Sequence, residues 1–485
     1  MQKFSEKLHA AKLAFTFQDM ILLPGWTEVE PREVDLRTCI TAEHQLNIPF
    51  VSSPMDTVTE SEMAVAMARH GGLGVIHRNC TVEEQVDMAK RVKRAESLII
   101  RDVVTIDPEQ TIAYAITLMQ KHGISGLPVV ANGKLVGILT GRDVRFADLS
   151  LKIEDVMTKK VVTATDGISI EDAKNLMHRH RIEKLPLVDD EGRLKGLITV
   201  KDITLRGSFP NAARDKDGRL LCAAAVSPFD LARAKALDKH VDIVVTDVAH
   251  FHNSKVFEAV RKMLPEVEAK VIVGNIGTYE AAVDVATKLE GVAGIRVGIG
   301  SGSICTTSEV TKAGAPTLFA TAQVADALAE YGLKVPIIAD GGIRSPGDAA
   351  LALSVGASTV MIGNLFARCK ESPGSLVSIG GRYYKQYRGM GSVSALEKRY
   401  ALDRYSHPAK GIAEGVEGWV PYKGSLSEVV NELVSGLKAS FGYVGARNIK
   451  ELQEKARLGF LTLSGVQETK AHDILLPGEK FSEAR

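Results

Sequence analysis

Net charge is the first thing this sequence of 485 residues lacks: 60 Lys and Arg stand against 59 Asp and Glu, leaving a formal +1. With no excess of either sign, no general field draws in nucleic acid or an anionic membrane surface. No run of about 18 apolar residues occurs, which excludes a simple transmembrane helix. The opening MQKFSEKLHA lacks the apolar centre of a secretory signal. Cysteine is scarce as well. The five (Cys39, Cys80, Cys222, Cys305, Cys369) fall without a C-x-x-C pair or any metal-like spacing. A disulfide framework is therefore not expected, and a reducing, cytoplasmic setting is. What remains is ordinary for a globular chain, 45% apolar and 25% charged. The length allows two or three domains, or one large barrel with an insert.

Eight short apolar runs recur: IPFVSSP, GLGVIH, LCAAAV, DIVVTD, AKVIVGN, GIRVGI, VPIIAD and TVMIGN. Rich in Val and Ile, they suit strands buried on both faces of a parallel sheet. Between them lie helical patterns such as SPFDLARAKALDKH and TYEAAVDVATKLE, opened by Ser or Thr. This alternation predicts an α/β fold, a closed (β/α)8 TIM barrel, with an open doubly wound sheet as the alternative. Chemistry on such a barrel sits on the loops after the strands. Asp247, Asn275, Asp340 and Asn364 follow the fourth, fifth, seventh and eighth runs, and Cys305 follows the sixth.

The rhythm breaks once, between the second run and Leu221, and there the sequence repeats itself. VVTIDPEQTI from Val103 returns as VVTATDGISI from Val161, LMQKHGISGLPVV as LMHRHRIEKLPLV, and GKLVGILTGRDV as GRLKGLITVKDI. Three consecutive matching blocks mark a duplicated unit. The segment resembles a tandem pair of CBS (Bateman) domains, an adenine-nucleotide-sensing module. The expected division is residues 1–95 as the first part of the barrel, 96–206 as the insert (repeats about 98–150 and 155–206), and 207–485 as the rest. The resemblance implies that Thr140 with Asp143, and Thr199 with Asp202, contact a nucleotide ribose. The alternative is that each pair only caps the helix that follows.

The stretch GIGSGSICTTSEV, Gly298 to Val310, sets a lone cysteine on a glycine-rich loop. Such glycines let backbone approach a ligand closely. Longer motifs surround it: SSPMDTVTE, GGLGVIHRN, VGIGSGSICTT, ADGGIRSPGD, VMIGNLFA, YRGMGS, EGVEGWVPYKG and GYVGARNI. With these, nearly the whole chain outside the repeats resembles the inosine-5'-monophosphate (IMP) dehydrogenase and guanosine-5'-monophosphate (GMP) reductase superfamily. The resemblance implies that Cys305, beside Thr307, adds to C2 of a purine nucleotide while NAD accepts hydride. Covalent addition of this kind splits one difficult step into two. It further implies that Ser303, Gly342, Gly363, Asn364 and Tyr387 hold the phosphate, and that Asp340 accepts from the ribose hydroxyls. Gly389, Met390, Gly391 and Glu414 would meet the purine, while Asp247, Asn275, Gly298, Ile299 and Gly300 would face NAD. Potassium would be held by carbonyls of Gly300, Gly302 and Cys305, with Glu468, Thr469 and Lys470 from a neighbouring subunit. The glycines are equally compatible with a sharp turn alone.

The two activities share this site, and they differ in that only the dehydrogenase hydrolyses its covalent intermediate. In that branch a mobile flap carries an Arg-Tyr pair that activates water. Here the flap would span about residues 392–420, with Arg404 and Tyr405 ahead of Glu414, against the alternative of an ordinary surface arginine. Four positions depart from the family: Val248 (Ser or Thr in dehydrogenases, Val in reductases), Ser301 for Pro, Ser308 for Arg and Thr317 for Gln. The expectation is a divergent dehydrogenase making xanthosine 5'-monophosphate for guanine nucleotides. The alternatives are GMP reductase, deaminating GMP with NADPH, and a nucleotide sensor without turnover. Implied partners are IMP, NAD, and adenine or guanine nucleotides at the repeats, with a homotetramer or octamer as the assembly.

Overall fold

The computed structural model describes residues 4–95, 99–101, 103–398, 400 and 413–470. They form two compact units: one takes the chain up to 93, 211–215 and from 220 onward, the other 94–210 and 216–219.

In the first unit, eight strands close into a parallel barrel. They are β1 (Phe50–Ser52), β2 (Leu73–Ile76), β3 (Ala223–Val226), β4 (Ile243–Thr246), β5 (Lys270–Ile276), β6 (Gly294–Val297), β7 (Ile337–Asp340) and β8 (Thr359–Ile362). Each lies in one of the eight apolar runs. The ring shuts where β2 pairs with β3, Ala223 opposite Val75 and Ala224 opposite Ile76, and where β8 pairs with β1. That closure excludes the open sheet. Nearly every strand residue is buried. Aliphatic side chains fill the barrel, with Val51, Val75, Ala225, Ile243, Val245, Ile272, Ile338 and Met361 in one buried cluster.

Helices α1 (Ser61–Arg69), α2 (Val82–Arg94), α3 (Leu231–Asp238), α4 (Ser254–Met263), α5 (Tyr279–Lys288), α6 (Thr317–Glu330), α7 (Pro346–Ser354) and α8 (Leu426–Val444) follow the strands in turn. Short polar side chains start several of them. Asp230, Asn253, Thr278 and Ser345 each accept a backbone N–H of the first turn, satisfying donors that have no partner within the helix. Gly445, at φ 79°, ends α8 in the left-handed conformation that glycine tolerates best. Two excursions decorate the C-terminal rim. Between β6 and α6 the chain runs through the Cys305 loop and a short helix, Thr307–Thr311. Between β8 and α8 it forms a helix, Asn364–Ala367, and an antiparallel sheet of Leu376–Ile379, Arg382–Arg388 and Glu417–Pro421.

The second unit contains the repeats, and its halves carry the same elements at equivalent places. Helix Ile112–His122 precedes the hairpin Gly126–Ala131/Lys134–Thr140; helix Ile170–His180 precedes Lys184–Val188/Leu194–Thr199. Each half has its own small core, around Leu127 and Leu139 in one and Leu185 and Leu187 in the other. Among the described residues, no helix is long and apolar enough to cross a membrane.

Candidate active site

The Cys305 loop is shaped by its glycines. Gly298 (φ 121°) and Gly300 (φ 79°) lie in the left-handed region. A Cβ on Gly298 would sit 2.6 Å from Thr317 Oγ1, and one on Gly300 would run into Ser308 Oγ. The loop is pinned at both ends. Ile299 and Ala315 exchange backbone hydrogen bonds of 3.0 and 2.9 Å, and further on Thr306 N–H donates to Glu414 O (3.2 Å) and Val416 N–H to Ile304 O (3.1 Å). Segment 414–416 is thereby laid alongside the cysteine, although over a hundred residues of chain separate them.

A chain of two side-chain hydrogen bonds starts at the thiol. Cys305 Sγ–H donates to Thr307 Oγ1 at 3.3 Å, and Thr307 O–H donates to Glu414 Oε2 at 2.9 Å. Glu414 is buried and Cys305 half-buried. Burial instead pushes the thiols of Cys80, Cys222 and Cys369 up, to about 11, 12 and 12. A thiol so raised is inert as a nucleophile near neutral pH. Cys305 alone opens into a cleft that is also lined by Asn275, Gly298, Ile299, Gly300, Gly302, Thr307, Asp340, Gly363, Tyr387, Gly389, Met390 and Glu414.

Charged groups are layered beneath that cleft. Asp340 Oδ2 accepts from Asn275 Nδ2 (2.8 Å) and Arg296 Nη2 (2.7 Å). Arg296, on β6 and only 1% exposed, turns its Nη1 toward Asp247, 3.7 Å from Oδ1. Arg78 Nε donates to Asp247 Oδ2 at 3.2 Å. A buried cation costs little only when it is paired in this way.

An adjoining pocket is lined by Ser303, Gly341, Gly342, Arg344, Gly363, Asn364 and Tyr387. Asn364 Nδ2 donates to Ser303 Oγ at 3.2 Å. Burial pushes the Tyr387 hydroxyl up to about 12, with Ser303's hydrogen bond working against it, so the phenol stays a donor. Glycines, a hydroxyl, an amide and a phenol, together with Arg344, line one hollow that offers hydrogen-bond donors.

A family model described as the IMP dehydrogenase / GMP reductase domain matches residues 14–472. The chain belongs to this family. It is 57% identical to the inosine-5'-monophosphate dehydrogenase of Korarchaeum cryptofilum, over 97% of this chain and 99% of that one. It is 52% identical to the enzyme of the same name from Methanocaldococcus jannaschii, over 98% of each. Among solved structures it resembles the GMP reductase of Trypanosoma brucei in complex with guanosine 5'-monophosphate. There the TM-score is 0.89, with 36% identity over 97% of this chain and 100% of that one.

Within this IMP dehydrogenase / GMP reductase fold, some expected residues stand apart. Asp247 lies behind the cleft wall, which Val248 and Ala249 form. Gly391 is buried, and its carbonyl accepts the Glu414 N–H at 3.1 Å. Thr469 and Lys470 line a different cleft, with Phe17 and Tyr443, just after the helix Leu463–Glu468. Arg404 and Tyr405 lie outside the described residues. In the second unit Thr140 O–H donates to Asp143 (2.7 Å) and Thr199 O–H to Asp202 (2.5 Å), each pair at the start of a helix.

Three of the four departures share one neighbourhood. Thr317 N–H donates to Ser301 Oγ (3.2 Å), Thr317 Oγ1 donates to Asp340 O (3.0 Å), and Ser308 Oγ packs beside Gly300 and Gly314. Sequence reasoning missed Arg78 and Arg296. A basic residue inside the apolar run GIRVGI was the available signal.

Proposed function

We propose that the protein oxidises IMP to xanthosine 5'-monophosphate with NAD, in guanine nucleotide synthesis. The observation that carries this reading is the Cys305–Thr307–Glu414 hydrogen-bond chain opening into a cleft lined by Asn275, Asp340 and Tyr387, in a chain 57% identical to an IMP dehydrogenase. The phosphate sits among Ser303, Gly342, Gly363, Asn364 and Tyr387, and the Asp340 side chain accepts from the ribose hydroxyls. Met390 and the 414–416 segment bound the purine.

The thiol proton passes to Thr307 as the Thr307 proton moves to Glu414, leaving a thiolate to form the S–C2 bond. NAD, when bound, would supply the acceptor for the hydride that leaves C2. Asn275, Ile299 and Val248 suit it, offering one amide and an apolar wall beside Cys305. The thioimidate on Cys305 is then cleaved by water: a C2–O bond forms, the C2–S bond breaks, and the thiolate regains its proton. Arg404 and Tyr405 serve as the water-activating pair. Arg404→Ala is expected to keep the first-turnover burst of NADH but to lower steady-state turnover at least about a hundredfold. Following NADH and xanthosine monophosphate with IMP and NAD tests the whole reading; a protein that forms neither refutes it.

One observation favours GMP reductase as a second reading. Val248, the reductase-like residue, lines the cleft, and solved relatives are named GMP reductase. NADPH oxidation dependent on GMP would decide for it.

The loop carbonyls are hard oxygen donors that fit potassium. Among the described residues Gly302 O accepts one backbone hydrogen bond, the Cys305 N–H (3.0 Å), and a carbonyl oxygen has a second lone pair. Gly300, Gly302 and Cys305 would hold the ion, with Glu468, Thr469 and Lys470 of a neighbouring copy, and it would stiffen the cysteine loop. Exposed Trp26 (89%), Tyr443 (71%) and Leu463 (90%) suit burial in a homotetramer or octamer. The second unit, a CBS pair, senses adenine or guanine nucleotides; Arg142, Lys174 and Arg181 line a hollow of about 680 Å³ there. Thr140, Asp143, Thr199 and Asp202 would meet the ribose while keeping their capping bonds.

A further inference from the structure

Arg368 follows the helix Asn364–Ala367 directly, four residues after Asn364. Its Nε (3.0 Å) and Nη2 (2.6 Å) both donate to a single acceptor, Asn364 Oδ1. An asparagine amide has two faces, an acceptor oxygen and a donor NH2. With the oxygen held by the guanidinium fork, the NH2 is the face turned to Ser303, where Nδ2 donates to Oγ. Tyr387 Oη closes the other side, 2.8 Å from where a Cβ on Gly363 would stand. The guanidinium is near enough to act on the Tyr387 hydroxyl electrostatically, as Asp340 and Cys305 do. A permanent cation thus stands behind Asn364, whose amide links it to the pocket that Ser303, Tyr387 and Arg344 also line.

We infer that Arg368 is a positioning residue for the 5'-phosphate of the mononucleotide. It locks Asn364 with its donor face toward the anion and adds a fixed positive charge behind it. This rests on the reading of the pocket under Proposed function. Without the fork, Asn364 is free to present its oxygen, which repels a phosphate. Lysine would restore the charge but not the two parallel N–H groups. The effect belongs to phosphate binding, so a nucleoside lacking phosphate should not register it.

The test compares the full chain with Arg368→Ala, Arg368→Lys, Asn364→Ala and the double alanine variant, by kinetics with IMP and calorimetry with IMP and inosine. Arg368→Ala should raise KM and Kd for IMP by about tenfold, the scale of one charge-assisted hydrogen bond. It should leave kcat within about twofold and inosine affinity unchanged, and Arg368→Lys should fall between. The double variant should lose clearly less than the sum of the two single losses, because Arg368 acts in part through that amide. Equal losses for IMP and inosine, a fall in kcat with KM unchanged, or fully additive losses would each overturn the inference. If Arg368→Ala fails to fold, Arg368→Gln, which keeps one amide donor, carries the same comparison. Calorimetry needs no turnover, so failure of the dehydrogenase reading shows as absent NADH in wild type. Failure of this inference shows in the ratio of variant to wild type.

Discussion

Strand β4 is flanked by two aspartates, and they live differently. Asp242, just before it, is at the base of the barrel; Asp247, just after it, is at the rim. Asp242 Oδ2 accepts from Lys93 Nζ (2.5 Å) and from the Cys222 N–H (2.8 Å). Lys93 also reaches Asp215 (3.0 Å) and the Leu220 carbonyl (3.0 Å). That set is closed: two carboxylates and a carbonyl surround one ammonium, tying α2 to the chain that enters β3. The rim set is open. Arg296 leans on Asp247 from below, but its other arm holds Asp340, whose side chain is 14% exposed and faces the cleft. Both sets satisfy buried charge, and only the rim set leaves a charged group for a ligand. A barrel keeps chemistry at the C-terminal ends of its strands and stability at the other end.

The largest effect that would sharpen this contrast belongs to Cys305. Cys305→Ala should reduce turnover below detection while the melting temperature and IMP affinity hold, because the half-buried thiol makes one weak hydrogen bond. Cys222→Ala and Cys369→Ala, buried away from the cleft, should change stability alone. Residual steady-state activity in Cys305→Ala would remove the covalent step.

Next come two crossed substitutions. Asp340→Asn keeps the shape and leaves Arg296 its Asp247 neighbour, so the fold should hold. It loses the charge that accepts from the ribose, and kcat/KM should fall about 10- to 100-fold, the worth of hydrogen bonds to an ionised group. Lys93→Met should do the reverse. It takes the shared ammonium from two nearly buried carboxylates (side chains 5% and 10% exposed) and should cost about 3–5 kcal/mol of stability. Its kcat/KM below the melting transition should stay within about twofold. Kinetics and denaturant titration on the same preparations check both. If Lys93→Met slows catalysis, the base of the barrel is coupled to the site and the contrast fails.

The fold was legible because all eight strands are locally apolar, rich in Val and Ile, and separated by helical patterns. Cys305, Asn275, Asp340 and Tyr387 were legible for a related reason: they sit at strand ends or in long family motifs, and the structure brings them to one cleft. What was illegible is pairing at long range. Nothing near Arg296 in sequence announces Asp247 or Asp340, and nothing near Arg78 announces Asp247. The Thr-x-x-Asp cue was ambiguous because one geometry serves two roles: the pairs at Thr140 and Thr199 cap helices whatever else they touch. Gly391, expected at the purine edge, gives its carbonyl to Glu414 because the loop there must hold the 414–416 segment in place.

The smallest effect concerns Asp56, in the loop after β1, which joins the two ends of the comparison by being buried like Asp242 but serving the rim. Burial raises its carboxyl pKa, yet the Arg388 guanidinium and the Asn79 amide outweigh that and hold it below the ordinary value. Arg388 belongs to YRGMGS, so this pair carries the loop with Met390. A carboxylate whose folded pKa is depressed contributes stability that is fully present above its unfolded pKa, about 3.9, and is lost as pH falls through the folded value. Asp56→Asn should therefore cost about 1.5–3 kcal/mol at neutral pH, the worth of hydrogen bonds to a charged group. The gap should stay constant down to about pH 5 and narrow below about pH 4. Urea titrations of both proteins at pH 7, 5, 4 and 3 measure it. A gap that widens on acidification would mean Asp56 is held protonated in the fold, and the loop would then be anchored by shape rather than by charge.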